Sequence, residues 1–245
     1  MRFDYTVDSH RISAIENGDR SRPRVIYIHG TPGDAENFAS YVLDPVDDAD
    51  SISIDRPGFG RTTPPGAVAS LEAQARVIEP LLVARDGVWP VLVGHSLGGP
   101  IALRVAAEHP DRVGAVVVVA GSVDPELERV MFIQRVGEFL FVPALLPRAI
   151  RNANRELLPL RGELETLSTM LERVRCPVVI VHGTKDSLVP YSNAPWLRDQ
   201  LVNSRGVWVT TIPGEDHFLV WTDTEDVRRS VSRGLREAGA KNPGR

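Results

Sequence analysis

The sequence predicts an α/β fold in which helices cover both faces of a mostly parallel, eight-stranded sheet. Short apolar segments rich in valine and isoleucine alternate with segments whose apolar residues recur at helical spacing. Strands separated by helices pair in parallel, and a parallel sheet must be covered on both faces. With 245 residues, 42% of them hydrophobic and 24% charged, the chain is long enough for one large domain with a buried core.

The first half of the chain supplies six of the predicted strands. Residues 3–7 and 11–16 alternate weakly, and the turn at 8–10 between them indicates an antiparallel pair. Strands and helices then alternate regularly. The remaining strands are predicted at 25–28, 51–54, 88–93 and 115–120, and the helices at 35–43, 71–84 and 99–108.

The alternation pauses between residues 122 and 175, where only helical pieces occur, broken at Pro143, Pro147 and Pro159. It resumes with strands at 178–181 and 207–212 and helices at 194–202 and 224–237. The sequence therefore predicts a core of residues 1–121 and 176–245 with a short helical cap of residues 122–175. We expect this insertion to lie over the carboxyl edge of the sheet, where open α/β sheets bind their ligands.

Charge and composition argue against several partners. Twenty-eight basic and 32 acidic residues give a net charge of −4 without a basic cluster, which argues against binding nucleic acid. The longest apolar stretches are too short to span a membrane, and the first eight residues carry no secretion core.

Cys176 is the only cysteine, which indicates a reducing, cytoplasmic compartment. We expect it to be a small side chain of the core. No Cys/His cluster has metal-ligand spacing, so neither a metal nor a cofactor is predicted.

The most informative motif is Gly94-His95-Ser96-Leu97-Gly98. It lies between a predicted strand and a predicted helix, and this context is typical of a nucleophile elbow. In such a turn the serine adopts a strained backbone conformation that exposes its hydroxyl at the end of the strand. The flanking glycines remove Cβ atoms that would collide with the neighbouring strand and helix. The alternative is an ordinary glycine-rich turn with a capping serine.

A nucleophilic serine needs a base within hydrogen-bond reach, and His217 is the best candidate. An acid and then a histidine follow the serine of such an elbow along the chain, and among the six histidines only His217 follows both Ser96 and a plausible acid. It lies in the loop after the last strand. His95 adjoins the serine, so the two side chains are expected to point apart, and His29 is expected to bond to the backbone of its own loop.

Two aspartates could orient the imidazole of His217 and stabilise its charged form. Asp186 directly follows the strand at 178–181, and Asp124 follows the strand at 115–120. Both positions could reach the histidine, and Asp186 is the preferred one. Asp216 is adjacent to His217 in the chain and is expected to point elsewhere.

Acyl chemistry also needs two backbone N–H groups that bind the oxyanion. The first is expected from Leu97, the residue after the nucleophile. The second is expected from Thr31 in the loop 29–33, where Gly30 allows the backbone to turn close to a ligand, and the Thr31 hydroxyl could contribute. The alternative for this loop is an ordinary turn.

Together these motifs resemble those of the α/β-hydrolase superfamily. The matching segments are His29-Gly30-Thr31-Pro32-Gly33, the loop from Asp55 to Thr62, Gly94 to Gly99, His182-Gly183-Thr184-Lys185-Asp186, and Asp216-His217. The resemblance runs from about Tyr5 to Ala238. It implies Ser96 as nucleophile, His217 as base, Asp186 as acid, and Thr31 and Leu97 as oxyanion donors. Residues 55–62 are expected to be structural, with a turn at Pro57 and Gly58 and with Arg56 paired to a nearby acid.

The resemblance implies a carboxylesterase-like serine hydrolase with a small-molecule substrate. The leading hypothesis is hydrolysis of a small, mainly apolar ester or thioester through an acyl-enzyme on Ser96. The alternatives are a carbon–carbon bond hydrolase of diketone-like substrates and a ligand-sensing relative with slow turnover. Apolar residues of the insertion could line an acyl pocket or form buried helix faces: Met131, Phe132, Phe139, Leu140, Phe141, Val142, Leu145 and Leu146.

Overall fold

The computed structural model describes residues 1–85, 87–128 and 146–240, and its centre is one eight-stranded sheet. The sheet order is β1-β2-β4-β3-β5-β6-β7-β8. The pairs β1–β2 and β2–β4 are antiparallel and the other pairs are parallel, which confirms the predicted sheet. The strands are β1 (Arg2–Val7), β2 (His10–Glu16), β3 (Arg24–Ile28), β4 (Asp50–Ile54), β5 (Val91–His95), β6 (Ala115–Val119), β7 (Val178–Gly183) and β8 (Val207–Ile212).

Helices cover both faces of the sheet, as predicted. The α-helices of the described residues are α1 (Ala39–Leu43), α2 (Leu71–Arg76), α3 (Gly98–Glu108), α4 (Arg148–Leu157), α5 (Leu160–Ser168), α6 (Asn193–Gln200), α7 (Leu219–Thr222) and α8 (Thr224–Gly239). Side chains of α2, α3, α5 and α6 form one apolar cluster, and those of α1, α7 and α8 form another. None of the helices among the described residues has the length and apolar character needed to cross a membrane.

Alternate side chains of the central strands enter the two clusters. In β6, Val116 and Val118 pack in the first cluster and Val117 and Val119 in the second. Successive side chains of a strand point to opposite faces, so a strand that is covered on both faces must be apolar throughout. This explains the run of valines. Because the paired central strands are parallel, their carboxyl ends lie at one edge of the sheet.

The helix predicted at 71–84 is shorter than expected, because α2 ends at Arg76 and a 3₁₀ helix follows at Glu79–Leu81. The cause is Pro80, which lacks an N–H group and whose ring would collide with the carbonyl of Arg76 in a continuous helix. The helix predicted at 35–43 also divides, into a 3₁₀ helix at Ala35–Phe38 and α1.

The described part of the insertion contains α4 and α5. They begin directly after Pro147 and Pro159, which confirms the breaks predicted at these two prolines. Leu160, Leu164 and Leu167 of α5 are buried in the first apolar cluster. Pro143 and seven of the eight apolar residues named above, Met131, Phe132, Phe139, Leu140, Phe141, Val142 and Leu145, lie outside the described residues, whereas Leu146 is half-buried.

Candidate active site

Ser96 occupies a sharp turn between β5 and α3. Its φ of 54° lies in the left-handed region, which is unusual for a residue with a side chain. The turn is held by two backbone hydrogen bonds, from Ser96 N–H to the Val119 carbonyl at 2.9 Å and from Gly99 N–H to the Ser96 carbonyl at 3.0 Å. Ser96 is half-buried while its neighbours on both sides are buried. The turn therefore presents the serine at the carboxyl edge of the sheet.

The glycines on either side of Ser96 are required by close backbone contacts. A Cβ atom at Gly94 would lie 2.1 Å from the Gly98 carbonyl oxygen. A Cβ atom at Gly98 would lie 2.1 Å from the carbonyl oxygen of Ile28 in β3. Any side chain would collide at these positions, so the expectation for the flanking glycines is confirmed.

His217 and Asp186 meet at the same edge of the sheet. Nδ1–H of His217, in the loop after β8, donates to Asp186 Oδ2 at 2.8 Å. Oδ1 of Asp186 accepts the backbone N–H groups of Leu188 and Val189 at 3.0 and 2.7 Å. Burial alone would raise the pKa of Asp186, but hydrogen bonds from His182, His217 and Val189 outweigh it and hold this pKa well below its usual value. The carboxylate is thus charged and fixes the proton of His217 on Nδ1.

The second candidate acid, Asp124, has other partners. Its carboxylate accepts the backbone N–H of Glu126 at 2.9 Å, and its own N–H donates to the side chain of Asn193 at 2.9 Å. The carboxylate of Asp216 accepts the N–H of Phe218 at 2.8 Å. Of the three aspartates weighed from the sequence, Asp186 is the one that the structure brings to His217.

His95 contacts the loop that carries His217. Its Nε2–H donates to the His217 carbonyl at 3.0 Å, and the two imidazole rings lie 4.9 Å apart. Burial, together with the neighbouring His217, lowers the pKa of His95 to about 4, so its ring is neutral near pH 7. His95 therefore holds the His217 loop, a role that the sequence analysis missed.

His182 supports Asp186 from β7, and this was also missed. Its Nε2–H donates to the Val189 carbonyl at 2.9 Å and lies 3.4 Å from Asp186 Oδ2. The residues of this turn thus hold the carboxylate from several sides. The signal that could have found His182 is its position four residues before Asp186, across the turn that ends β7.

The loop after β3 runs directly beside Ser96. A Cβ atom at Gly30 would lie 2.8 Å from the Cβ of Ser96. Nδ1–H of His29 donates to the Gly30 carbonyl at 2.7 Å, and its Nε2 accepts the N–H of Arg56 at 3.1 Å, which confirms that His29 bonds to the loop backbone. The Thr31 hydroxyl is buried and has no hydrogen-bond partner within the described residues.

Asp55 and Arg56 organise the loop after β4. Asp55 accepts the backbone N–H groups of Ala35 and Arg61 at 2.7 and 2.9 Å, and it pairs with Arg2 at 2.8 Å. The expected turn is present, with Gly58 at a φ of 88°. Arg56 pairs with Glu156 of α4 at 2.9 Å, which confirms the expected ion pair.

Exposed apolar side chains lie beside the histidine and the aspartate. Leu188, Phe218 and Trp221 are 64%, 47% and 47% exposed. Leu188 belongs to the Asp186 turn, Phe218 follows His217, and Trp221 packs edge-on against His95 at 5.4 Å.

Within the described residues 1–85, 87–128 and 146–240, no group of three or more His, Cys, Asp or Glu side chains could hold a metal ion.

Comparisons with known proteins give matches in sequence and in structure. A family model described as alpha/beta hydrolase fold matches residues 23–140, and a model of the prolyl oligopeptidase family matches residues 86–233. A pimeloyl-[acyl-carrier protein] methyl ester esterase of Salmonella paratyphi A is 31% identical over 179 residues, which are 59% of this chain and 68% of that protein.

A second relative matches over a shorter stretch. It is the dihydrolipoyllysine-residue acetyltransferase component of the acetoin cleaving system of Cupriavidus necator, 32% identical over 115 residues, or 46% of this chain. The match spans only 30% of that relative's length.

Solved structures also resemble this chain. The crystal structure of a Paleococcus ferrophilus monoacylglycerol lipase superposes on it with a TM-score of 0.73 at 20% sequence identity, covering 93% of this chain and 99% of the lipase chain. At this identity the likeness is one of fold.

Proposed function

The chain belongs to the α/β-hydrolase superfamily, and we propose that it is an esterase that uses Ser96 as nucleophile, His217 as base and Asp186 as orienting acid. The observation on which this proposal depends most is the 2.8 Å hydrogen bond between His217 Nδ1–H and Asp186 Oδ2, at the edge of the sheet where Ser96 lies. It fixes the proton on Nδ1 and leaves Nε2 to act on the serine.

In the first half of the reaction, Ser96 Oγ attacks the carbonyl carbon of the ester while His217 Nε2 takes the hydroxyl proton. The carbonyl oxygen becomes an oxyanion that accepts the N–H groups of Thr31 and Leu97. Asp186 stabilises the imidazolium. The intermediate then expels the alcohol or thiol, which takes the proton from His217, and the acyl group stays on Ser96.

In the second half, water attacks the acyl-enzyme and gives its proton to His217 Nε2. The same two N–H groups bind the second oxyanion. Its collapse breaks the bond to Ser96, whose Oγ regains a proton from His217. The carboxylic acid leaves and the enzyme returns to its starting state.

We propose a small, mainly apolar ester or thioester as the substrate. The exposed side chains of Leu188, Phe218 and Trp221 support this, because they offer apolar contacts beside His217 and Asp186. The sequence similarity to a methyl ester esterase supports ester hydrolysis in general. No charged group is needed for recognition of such a substrate.

Hydrolysis of p-nitrophenyl esters from acetyl to lauroyl tests the proposal and measures the preferred chain length. We expect a burst of p-nitrophenol followed by steady turnover. Ser96→Ala should lower kcat by a factor on the order of 10⁴ to 10⁶, because the nucleophile is lost. A matched control is Ser122→Ala, a serine just after β6 that bonds to Glu128. Unchanged turnover in Ser96→Ala would refute the proposal.

A further inference from the structure

The guanidinium of Arg56 is almost completely buried and uses all of its donors. Its Nε donates to the His29 carbonyl and its Nη2 to the Gly30 carbonyl, both at 2.9 Å. Its Nη groups also donate to the two carboxylate oxygens of Glu156 at 2.9 and 3.2 Å, and Nη1 donates to Gln74 Oε1 at 2.7 Å. A guanidinium has five N–H groups, and these are five hydrogen bonds.

The contact with the Gly30 carbonyl bears on the Thr31 N–H. These two groups belong to one planar peptide unit, which is trans, so they point in opposite directions. Whatever fixes the carbonyl therefore fixes the N–H as well. The carbonyl is held twice, by Arg56 Nη2 at 2.9 Å and by His29 Nδ1 at 2.7 Å. A charged donor on the carbonyl also polarises the peptide unit and makes its N–H a stronger donor.

We propose that Arg56 and Glu156 are positioning residues that aim the Thr31 N–H at the oxyanion and strengthen it as a donor. The inference rests on the proposed function, since Thr31 can serve an oxyanion only if Ser96 attacks a carbonyl group. Neither side chain touches the reacting atoms. Both act through the backbone between His29 and Thr31.

Glu156 keeps the buried charge of Arg56 compensated. Its carboxylate is completely buried, and its Oε1 also accepts Gln74 Nε2 at 2.5 Å. A buried ion pair seldom stabilises a fold more than apolar side chains of the same volume would, but loss of one partner leaves an unpaired charge. Packing alone therefore does not require this pair. Because Glu156 lies on α4, the pair also connects the insertion to the loop beside Ser96.

A purely structural role for the pair would be to dock α4 on the core, and Asn152 allows the two roles to be separated. Asn152 lies one turn before Glu156, and its Nδ2 donates to the carbonyls of Gly58 and Pro65 at 2.7 and 2.9 Å. These bonds dock the same helix without involving His29 or Gly30. Asn152→Ala is therefore the matched control for Glu156→Gln.

The test compares wild type, Glu156→Gln and Asn152→Ala in p-nitrophenyl ester hydrolysis and in inhibition by an aryl trifluoromethyl ketone. The ketone adduct with a serine carries an oxyanion, so its affinity reports on the oxyanion donors. Loss of one such donor costs about 10²- to 10³-fold, and a misdirected donor should cost less. We expect Glu156→Gln to lower kcat and the ketone affinity by about 10- to 100-fold, with KM within about threefold. Asn152→Ala should lower Tm and leave kcat and the ketone affinity within about threefold.

Two outcomes would overturn the inference while the proposed function stands: wild-type kcat in folded Glu156→Gln, or equal losses in both variants. If Glu156→Gln does not fold, Glu156→Asp replaces it. This variant keeps the charge, but its shorter side chain cannot reach both Nη groups, so kcat should again fall at unchanged KM, and a wild-type kcat would overturn the inference. If the wild-type protein neither hydrolyses the ester nor binds the ketone, the proposed function fails and the inference fails with it.

Discussion

At the scale of single residues, the acid that serves His217 can be tested by substitution. Asp186→Asn keeps the shape of the side chain but removes the charge that holds the His217 proton on Nδ1. We expect kcat to fall by a factor on the order of 10⁴, as for a triad whose histidine adopts the wrong tautomer. Steady-state kinetics on the purified variant measure this, with circular dichroism to check the fold.

Asp124→Asn is the matched control for Asp186→Asn. Asp124 also follows a central strand, but its carboxylate bonds to the backbone of Glu126 and not to His217. The kcat of Asp124→Asn should stay within about threefold of the wild-type value. A large loss of kcat in Asp124→Asn together with normal turnover in Asp186→Asn would contradict the assignment of the acid to Asp186.

The meeting of Asp186 and His217 could be predicted from the sequence, whereas the partner of Arg56 could not. Asp186 and His217 each lie in a loop directly after an apolar strand, and parallel strands end at one edge of the sheet. Glu156 lies 100 residues after Arg56, within an insertion that contains eight carboxylates. Nothing local distinguishes Glu156 from the other seven, because its role depends on where α4 is placed.

At the scale of elements, the close approach of the turn between β5 and α3 to the end of β3 depends on glycine. A Cβ atom at Gly98 would lie 2.1 Å from the Ile28 carbonyl, so Gly98→Ala must displace backbone. We expect this variant to lose at least about 2 kcal/mol of unfolding free energy, measured by urea denaturation.

Gly162→Ala is the control for Gly98→Ala. Gly162 lies in α5, and a Cβ atom there would meet nothing within 4 Å. Alanine at this position should stabilise the protein by about 0.5 to 1 kcal/mol, because glycine is a poor helix former. Equal effects of the two substitutions would contradict the close approach at the elbow.

The periodicity of the sequence predicted the elements well where apolar residues alternate or recur. All eight strands appear within a few residues of the predicted positions. The helix at 71–84 was predicted too long because its apolar spacing continues past Pro80, although proline cannot occupy a helix interior. The polar contacts of α4 could not be predicted, because their partners lie in the loop after β4 and in α2.

At the scale of the whole molecule, buried neutral histidines couple stability to pH. Burial lowers the pKa of His95 to about 4, below the value of 6.5 expected in the unfolded chain. Between these two values the unfolded chain binds more protons than the folded protein, so stability falls as pH falls. We expect His95 to cost about 2 kcal/mol of unfolding free energy between pH 7.5 and pH 5.

Urea denaturation at the two pH values measures this loss. His29 acts in the same direction, because burial and the nearby Arg56 also lower its pKa. The comparison is therefore made between wild type and His95→Gln, which cannot be protonated at this position. Between pH 7.5 and pH 5, His95→Gln should lose about 2 kcal/mol less unfolding free energy than the wild type. Equal losses in the two proteins would mean that His95 is not a buried neutral histidine.

The catalytic role of Ser96 is tested most directly by trapping the acyl-enzyme. The protein is mixed with the preferred p-nitrophenyl ester, quenched in acid during the burst and digested for mass spectrometry. The acyl mass should appear on the peptide that contains Ser96 and on no other, and it should be absent from Ser96→Ala. Continued hydrolysis with no acyl group on Ser96, or with the acyl group on another residue, would contradict the proposed function.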